Sequence, residues 1–121
     1  MMNHCLKDDQ LLRLSALAEK TGVSVHSIRN YVDLGMVAIN SRSEGGLLLF
    51  DEPAIERLRF IKTARDAGIP LAKIVCLLAA SDTRDDEGLT KSLTELNHTI
   101  QDTRSKLNTF ERSLSTIRDA R

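Results

Sequence analysis

The last third of the chain carries an apolar stripe whose members are spaced alternately four and three residues apart. Its members are Leu89, Leu93, Leu96, Ile100, Thr103, Leu107, Phe110, Leu114 and Ile117. This is the heptad pattern of a helix that buries one narrow seam against another helix. A helix of about 30 residues spans roughly 45 Å and is not stable alone when such a seam faces water. The stripe therefore has to be covered by another surface.

No second helix of this length and pattern occurs elsewhere in the 121 residues. Self-association is the economical inference, and we expect a homodimer joined through the stripe. Thr103 is the middle member and the only polar one. If two copies cross antiparallel about a two-fold axis, each Thr103 lies near its twin. A polar residue there would fix the register at some cost in stability.

Two short helices near the amino terminus have the spacing of a helix-turn-helix. Ser15 is predicted to cap the first helix, and Gly22 to end it. Ser24 is predicted to cap the second helix, which runs to about Leu34 before Gly35. Only a few residues separate the two helices, and this is the spacing at which a second helix can enter a groove of DNA.

The second helix has an apolar side, formed by Val25, Ile28 and Val32, and an opposite polar side. Such a polar side is most often simply solvated. Here its residues are small or hydrogen-bonding types rather than a Glu/Lys mixture, which favours contact with DNA. Arg29 offers a pair of parallel donors, and hydroxyl groups beside it can reach phosphate. The candidate DNA-contacting residues of this segment are Ser24, His26, Ser27, Arg29, Asn30 and Tyr31.

The remaining segments complete a mainly α fold. A short strand is expected around Leu12, and residues 36–50 are predicted to form a hairpin, or wing, whose tip spans residues 41–46. Asp51 is predicted to cap a helix, and Pro70 to begin another. We therefore expect a flexible tail over residues 1–10 and a winged helix-turn-helix head with a connecting helix pair over 11–80. Residues 81–121 should hold an acidic linker and a long antiparallel coiled-coil dimerisation helix.

The charge of the chain is balanced. Lys and Arg together number 17, as do Asp and Glu, so the total indicates no partner. Between Leu11 and Phe60 there are six cations and six anions, and a single head should therefore bind DNA weakly. Two heads on one dimer, reading two half-sites, would gather more contacts.

Cysteines and acidic residues do not indicate a metal site or a catalytic centre. Cys5 and Cys76 are far apart in sequence, and we expect Cys76 to be a buried thiol. The acidic residues before the long helix are explained by its dipole; they are Asp82, Asp85, Asp86 and Glu87. No nucleophile constellation or phosphate loop is found, so we expect neither cofactor nor enzymatic activity. Without a signal peptide or an apolar run of about 18 residues, the chain is expected in the cytoplasm.

The sequence resembles the MerR-type transcriptional regulators. The resemblance rests on LSALAEKTGVSVHSIRNYVDLGMV, on LFDEPAIERLRFIKTARDAGIPLAKI and on the heptad helix, and covers about residues 12–118. It implies a dimer that binds double-stranded promoter DNA and switches RNA polymerase on or off. Arg29 and Tyr31 match positions that the family uses against DNA, and Arg42 and Ser43 lie where its wing does.

Two departures from the family pattern bear on function. Leu48 and Leu49 stand where members usually carry arginines in the wing, and their presence implies weaker or altered promoter binding. Asp85 stands where metal-sensing members have their first thiol, and an aspartate does not replace a thiolate toward mercury or copper. The short length and the GVSVH and LFD segments resemble the small secondary regulators of mercury-resistance operons. Such a protein acts as a repressor or co-regulator at the operator of a primary regulator and has no metal of its own.

Two functions are therefore compared. The first is a dimeric regulator that binds specific DNA, favoured by Arg29 with Ser24 and Ser27. The second is an interaction module of the same fold, an adaptor or chaperone modulator with little or no DNA binding. Leu48, Leu49 and the neutral head favour the second.

Overall fold

The computed structural model describes residues 11–120 and has a mainly helical fold, as predicted. The expected flexible tail, with Cys5, lies outside the described residues. The chain divides into two compact units, one ending at Ala79 and the other beginning at Ala80. The elements, in order, are β1 (Leu12–Arg13), α1 (Leu14–Thr21), α2 (Val25–Asp33), β2 (Ser41–Arg42), β3 (Leu48–Phe50), α3 (Glu52–Asp66), α4 (Leu71–Asp82) and α5 (Asp86–Asp119).

The three short strands form one antiparallel sheet in the order β1-β3-β2. The predicted hairpin is confirmed, and β1 adds a third strand on the far side of β3. Leu12 lies opposite Phe50, and Arg13 lies opposite Leu49. On the other side of β3, Ser41 pairs with Leu49 and Arg42 pairs with Leu48. Phe50 is fully buried, so the central strand β3 is anchored in the core.

Helix α1 begins earlier than predicted. Ser15 was expected to cap it, but the helix starts at Leu14, and no side chain caps its first turn. The reason is tertiary: pairing with Leu49 holds Arg13 in extended backbone, and the helix follows directly. The other end agrees with the prediction, because Gly22 has φ of +76° and donates its N–H to the carbonyl of Ala18.

The core of the first unit is built from side chains of every helix in that unit. Its fully buried members are Leu17, Ile28, Phe50, Leu58, Ile61 and Ile74. Asp51 caps α3 by accepting a hydrogen bond from the N–H of Ala54, as predicted. Pro53 lies in the first turn, where its missing N–H would have no partner in the helix. The resulting core fixes α2 and the sheet against α3.

Cys76 is exposed, which corrects the expectation of a buried thiol. The inference relied on its apolar neighbours in sequence, of which Leu77 is buried. Consecutive residues of a helix are about 100° apart around its axis, so a buried neighbour does not imply burial. Cys76 lies instead on the side of α4 away from buried Ile74.

Helix α5 is a single uninterrupted helix of 34 residues. It begins after a break of only three residues, 83–85, because α4 extends to Asp82. None of its residues is buried, although all of them are among those the structure describes. Large apolar side chains of the stripe are exposed, and they are Leu93, Ile100, Leu107, Phe110, Leu114 and Ile117. Across residues 11–120 no helix combines the length and apolarity needed to cross a membrane.

Candidate nucleic-acid interface

The amino terminus of α2 is closed by a pair of serines. Ser24 accepts a hydrogen bond from the N–H of Ser27 at 3.1 Å, so it is the predicted cap. Its hydroxyl also donates to the Ser27 hydroxyl at 3.0 Å. Both side chains therefore stabilise the first turn. The Ser27 hydroxyl accepts in this pair, so its own proton remains available to another acceptor such as a phosphate oxygen.

The remainder of α2 is fixed by its apolar side. Ile28 is fully buried, and Tyr31 and Val32 pack against the core. The exposed polar side chains of α2 are then His26, Arg29, Asn30 and Asp33. Tyr31 is half-buried, so it contributes to the core and also reaches the surface.

Val25 departs from the predicted apolar side, since 37% of it is exposed. It occupies the first position of α2, beyond the edge of the core. The exposed Val25 side chain lines the cleft described below, and it is the kind of apolar group that can contact a thymine methyl group.

The segment that follows α2 is joined to α3 through Met36. Gly35 has φ of +77°, and the N–H of Met36 donates to the carbonyl of Tyr31 at 2.9 Å. A guanidinium nitrogen of Arg57 on α3 donates to the Met36 carbonyl at 3.2 Å. The buried Met36 side chain completes the join. This arrangement fixes the angle at which the polar side of α2 is presented.

The wing is closed by a turn in which Ser43 has a structural role. Its hydroxyl accepts a hydrogen bond from the N–H of Leu47 at 3.1 Å, and its own N–H donates to the Leu47 carbonyl at 2.9 Å. Gly46 has φ of +84°, which the turn requires. Arg42 is exposed and donates to the Gly46 carbonyl at 3.3 Å. Of the two predicted wing residues, Arg42 is the one with a charge free to meet an anion.

An open cleft of about 660 Å³ lies between α2 and the wing. Arginines from three separate elements line it: Arg13 from β1, Arg29 from α2 and Arg42 from β2. Asp33 is the only acidic residue among the described ones that line it. The head that is neutral by count thus has a positive cleft, because its other carboxylates lie elsewhere. Arg29 and Arg42, distant in sequence, meet at one surface.

Arg13 is the residue that sequence reasoning missed. It was considered only as part of a short strand, although it is exposed and forms no ion pair with any residue in the described range. Its alternation with Leu12 and Leu14 indicated an outward side chain. Its closeness to the wing follows only from the pairing of β1 with β3.

The two leucines of the wing face opposite sides of the sheet. Leu48 shares the face of buried Phe50 and packs against the core, while Leu49 lies between Arg13 and Ser41 on the other face. Leu47, just before them, is 48% exposed at the cleft. The wing side of the cleft is therefore apolar at Leu47 and Leu48. Arg42 shares the Leu48 face of the sheet, whereas Arg13 shares the Leu49 face and borders the cleft from the edge strand β1.

The residues before α5 do not fit a thiophilic metal. Asp85 caps α5 by accepting the N–H of Gly88 at 3.0 Å, and Asp86 and Glu87 fill the first turn. This agrees with the explanation from the helix dipole. Within residues 11–120 no three His, Cys, Asp or Glu side chains are grouped so that they could hold a metal ion. A hard carboxylate engaged as a cap does not replace a thiolate toward a soft metal.

Comparison with known proteins agrees with this geometry. The family model of the MerR HTH family regulatory protein matches residues 12–81, and that described as MerR, DNA binding matches residues 55–120. MerD, an HTH-type transcriptional regulator of Acinetobacter calcoaceticus, is 36% identical over 104 residues, which are 86% of each chain. The MerD of Pseudomonas aeruginosa is 35% identical over the same shares of both chains. The mercuric resistance operon regulatory protein of Bacillus cereus is 36% identical over 74 residues, 61% of this chain and 55% of that protein.

Solved structures share the fold. A putative MerR family regulator from Listeria monocytogenes is 25% identical with a TM-score of 0.67, covering 85% of this chain and 83% of that one. PbrR691 of Ralstonia metallidurans, solved in complex with lead(II), is 27% identical with a TM-score of 0.60, covering 88% and 85%. HiNmlR, a family regulator without a sensor domain, was solved bound to promoter DNA. It is 20% identical with a TM-score of 0.67, covering 87% of this chain and 79% of that one.

These findings favour the DNA-binding interpretation over the adaptor or chaperone modulator. The family is one of transcriptional regulators rather than enzymes. With both family models matched and relatives similar over most of its length, this chain belongs to the MerR family of helix-turn-helix DNA-binding transcriptional regulators and is similar to MerD.

Proposed function

We propose that the chain is a dimeric repressor or co-regulator that places α2 in the major groove of promoter DNA. The backbone of one DNA strand then runs along the cleft between α2 and the wing. The observation that carries this proposal is that Arg29 and Arg42, with Arg13 on the edge strand, border one cleft in which Asp33 is the only acidic residue among the described ones. A local excess of cations attracts phosphate even when the net charge of the whole domain is zero, provided that few carboxylates lie beside those cations.

Each element of the cleft has a separate task. Arg29 is exposed on α2, and we assign it two hydrogen bonds to a base edge or a phosphate. Arg42 and Arg13 hold the backbone and set the position of the helix in the groove. His26 and Asn30, exposed on the same helix, supply further base contacts. Ser24, Ser27, Tyr31 and Ser43 act mainly by fixing α2 and the wing.

The dimer follows from α5. Its exposed apolar side chains need a partner helix, and a second copy supplies one of matching length. Since few cations line one cleft, the affinity of one head is low. Two heads on one dimer bind two half-sites and roughly double the number of phosphate contacts.

The regulatory role is proposed from two observations. Asp85 stands at the start of α5 where metal-sensing members have a thiol, and the chain is similar to MerD. Asp85 is engaged there as a helix cap, which supports a regulator that senses no thiophilic metal. Such a regulator would occupy the operator beside RNA polymerase or in place of a primary MerR-type regulator, and so lower transcription. We propose no catalytic activity, and we place the protein in the cytoplasm, with the DNA that it binds.

Arg29→Gln tests the DNA site. Binding of the purified chain to the promoter region beside its gene is measured by gel shift between about 50 and 200 mM salt, together with random DNA of equal length. We expect Arg29→Gln to weaken binding at least about tenfold, as loss of a bidentate base or phosphate contact does. If Arg29 reads a base, the preference for the promoter falls; if it holds a phosphate, both DNAs lose affinity equally.

Arg59→Gln is the matched control. Arg59 is also an exposed arginine of the first unit, but it lies on α3 and does not line the cleft. Its replacement should leave affinity within about twofold, since it removes no phosphate contact. Failure of the unaltered chain to shift any DNA at micromolar concentration would overturn the proposal and favour the interaction module.

A further inference from the structure

We propose that two copies of α5 pair antiparallel in one particular register, an inference that rests on the proposed dimer. In this register Ile100 packs against the partner's Thr103. The other facing residues are Leu96 with the partner's Leu107, Leu93 with the partner's Phe110, and Leu89 with the partner's Leu114. By two-fold symmetry each contact occurs twice.

The geometry of the helix pair leaves few choices. With the four-three spacing of the stripe, Leu89 and Thr103 occupy d positions of the heptad, and Ile100 and Leu107 occupy a positions. In an antiparallel pair, an a residue of one helix faces a d residue of the other. Two registers, one heptad apart, pair eight of the nine stripe residues in this way. The alternative to the proposed register places Leu107 opposite the partner's Thr103.

Charges beside the seam distinguish the two registers. In the alternative, Arg104 lies beside the partner's Arg104, and Lys106 beside the partner's Lys106. Four cations then gather at the centre of the dimer, and like charges beside a seam are destabilising. In the proposed register, Arg104 faces the partner's Asn97, Lys106 faces the partner's Thr99, and Glu111 faces the partner's Thr90. No like charges face each other across this seam.

The overlap of the helices favours the same register. It places Asp86, the first residue of α5, opposite the partner's Ile117, so the two helices overlap along nearly their whole length. The alternative begins its overlap only at Lys91, which faces the partner's Asp119. It therefore leaves the first turn of each helix, with Leu89, without a helix beside it. The proposed register covers more of the stripe, and Ile117 lies over the first turn of the partner's α5.

The register also gives Thr103 a defined place. Each Thr103 packs against the partner's Ile100, and the two threonines lie in the adjacent central layers of the dimer. They are therefore near each other without sharing one layer. A polar residue in the seam helps to specify the register at some cost in stability.

A charge placed at Asn97 tests the register through the sign of its effect. Asn97 is exposed, and no charged residue lies three or four positions from it on the same helix. In the proposed register it faces the partner's Arg104, whereas in the alternative it faces the partner's Glu111. Glu and Lys have similar helix propensities, so any difference between Asn97→Glu and Asn97→Lys reports on the partner.

The dimer dissociation constant is measured by analytical ultracentrifugation of the full chain at about 50 mM salt. Two new ion pairs should make the dissociation constant of Asn97→Glu about three- to fivefold lower than that of the unaltered chain. Asn97→Lys should raise it by a similar factor, and both effects should vanish when Arg104→Gln is added. The opposite signs, or equal effects of Glu and Lys, would overturn the proposed register.

Disulfide formation provides a second measurement, in a background with Cys5→Ser and Cys76→Ser. The double variant Leu96→Cys with Leu107→Cys should form a covalent dimer on mild oxidation, since these positions face each other across the seam. Each single variant should remain uncrosslinked. If the double variant Leu96→Cys with Leu114→Cys forms the covalent dimer instead, the alternative register is present. If Leu107→Cys alone forms a covalent dimer, the two helices are parallel. A chain that sediments as a monomer at every concentration would overturn the dimer itself.

Discussion

The two units of this protein use similar apolar residues to opposite effect. In the first unit, leucine and isoleucine from four helices meet in a core where six large side chains are fully buried. In the second, α5 carries a stripe of the same residue types, and 60% of Leu107 and of Phe110 is exposed. Residue type therefore does not decide burial. What differs is how many neighbouring elements cover the apolar face: several helices and the sheet do so in the first unit, whereas the stripe of α5 is left exposed.

This difference in packing corresponds to the different roles proposed for the two units. Side chains contributed by several elements at different angles hold α2, β1 and the wing in a fixed arrangement, and this arrangement brings the arginines to one cleft. A single straight helix of about 51 Å cannot surround its own stripe. Its apolar side chains remain available for a second copy. The proposed DNA-contacting residues are thus held by a core of several elements, whereas the proposed dimer contact lies along one helix.

The largest expected effect is on the core of the first unit. Leu58→Ala should lower the free energy of unfolding by about 3 kcal/mol, because Leu58 is 0% exposed and its removal leaves a cavity. Urea unfolding followed by circular dichroism measures this loss. Arg59→Ala, next to it but exposed, should change stability by less than about 0.5 kcal/mol. An effect of Leu58→Ala no greater than that of Arg59→Ala would remove the contrast between the units.

A charge in the stripe should act on association instead. Leu107→Asp places a carboxylate where the seam excludes water, and we expect the dimer dissociation constant to rise about 100-fold or more. The near-ultraviolet circular dichroism of Tyr31, the one tyrosine of the chain, should change little, since Leu107 contributes nothing to the core that Tyr31 packs against. Ser105→Asp, on the opposite side of α5, is the control and should leave association within about threefold. A dimer that tolerates Leu107→Asp would contradict the role assigned to the stripe.

The smallest expected effect concerns the two helix caps. Asp85 makes one capping hydrogen bond to α5, whereas Asp51 caps α3 and also accepts a hydrogen bond from Asn40 at 3.0 Å. Asp85→Ala should cost about 1 kcal/mol and Asp51→Ala about 2 kcal/mol. Asp85→Asn should restore most of the first loss, because Asn caps a helix equally well. Thermal unfolding measures both losses, and no recovery with Asn would mean that charge rather than capping matters at Asp85.

Local signals of the sequence were sufficient for most of the fold. The caps at Ser24, Asp51 and the glycine end of α1 were predicted correctly, since each depends on residues within one or two turns. The hairpin over residues 36–50 followed in the same way from local turn signals. The prediction failed for the start of α1 and for Cys76, where a paired strand and the direction of a helix face were decisive.

For the candidate interface, the sequence alone determined which residue types stand on the polar side of α2 and that α5 requires a covering surface. Both are repeats along a single helix and depend only on its geometry. The tertiary structure decided that Arg13 joins Arg29 and Arg42 at one cleft, and that Leu48 faces the core while Leu49 faces outward. These outcomes depend on the pairing of β1 with β3, which joins segments more than thirty residues apart. Periodicity within one segment carries no information about such a pairing, because its energy comes from contacts that exist only after the chain has folded.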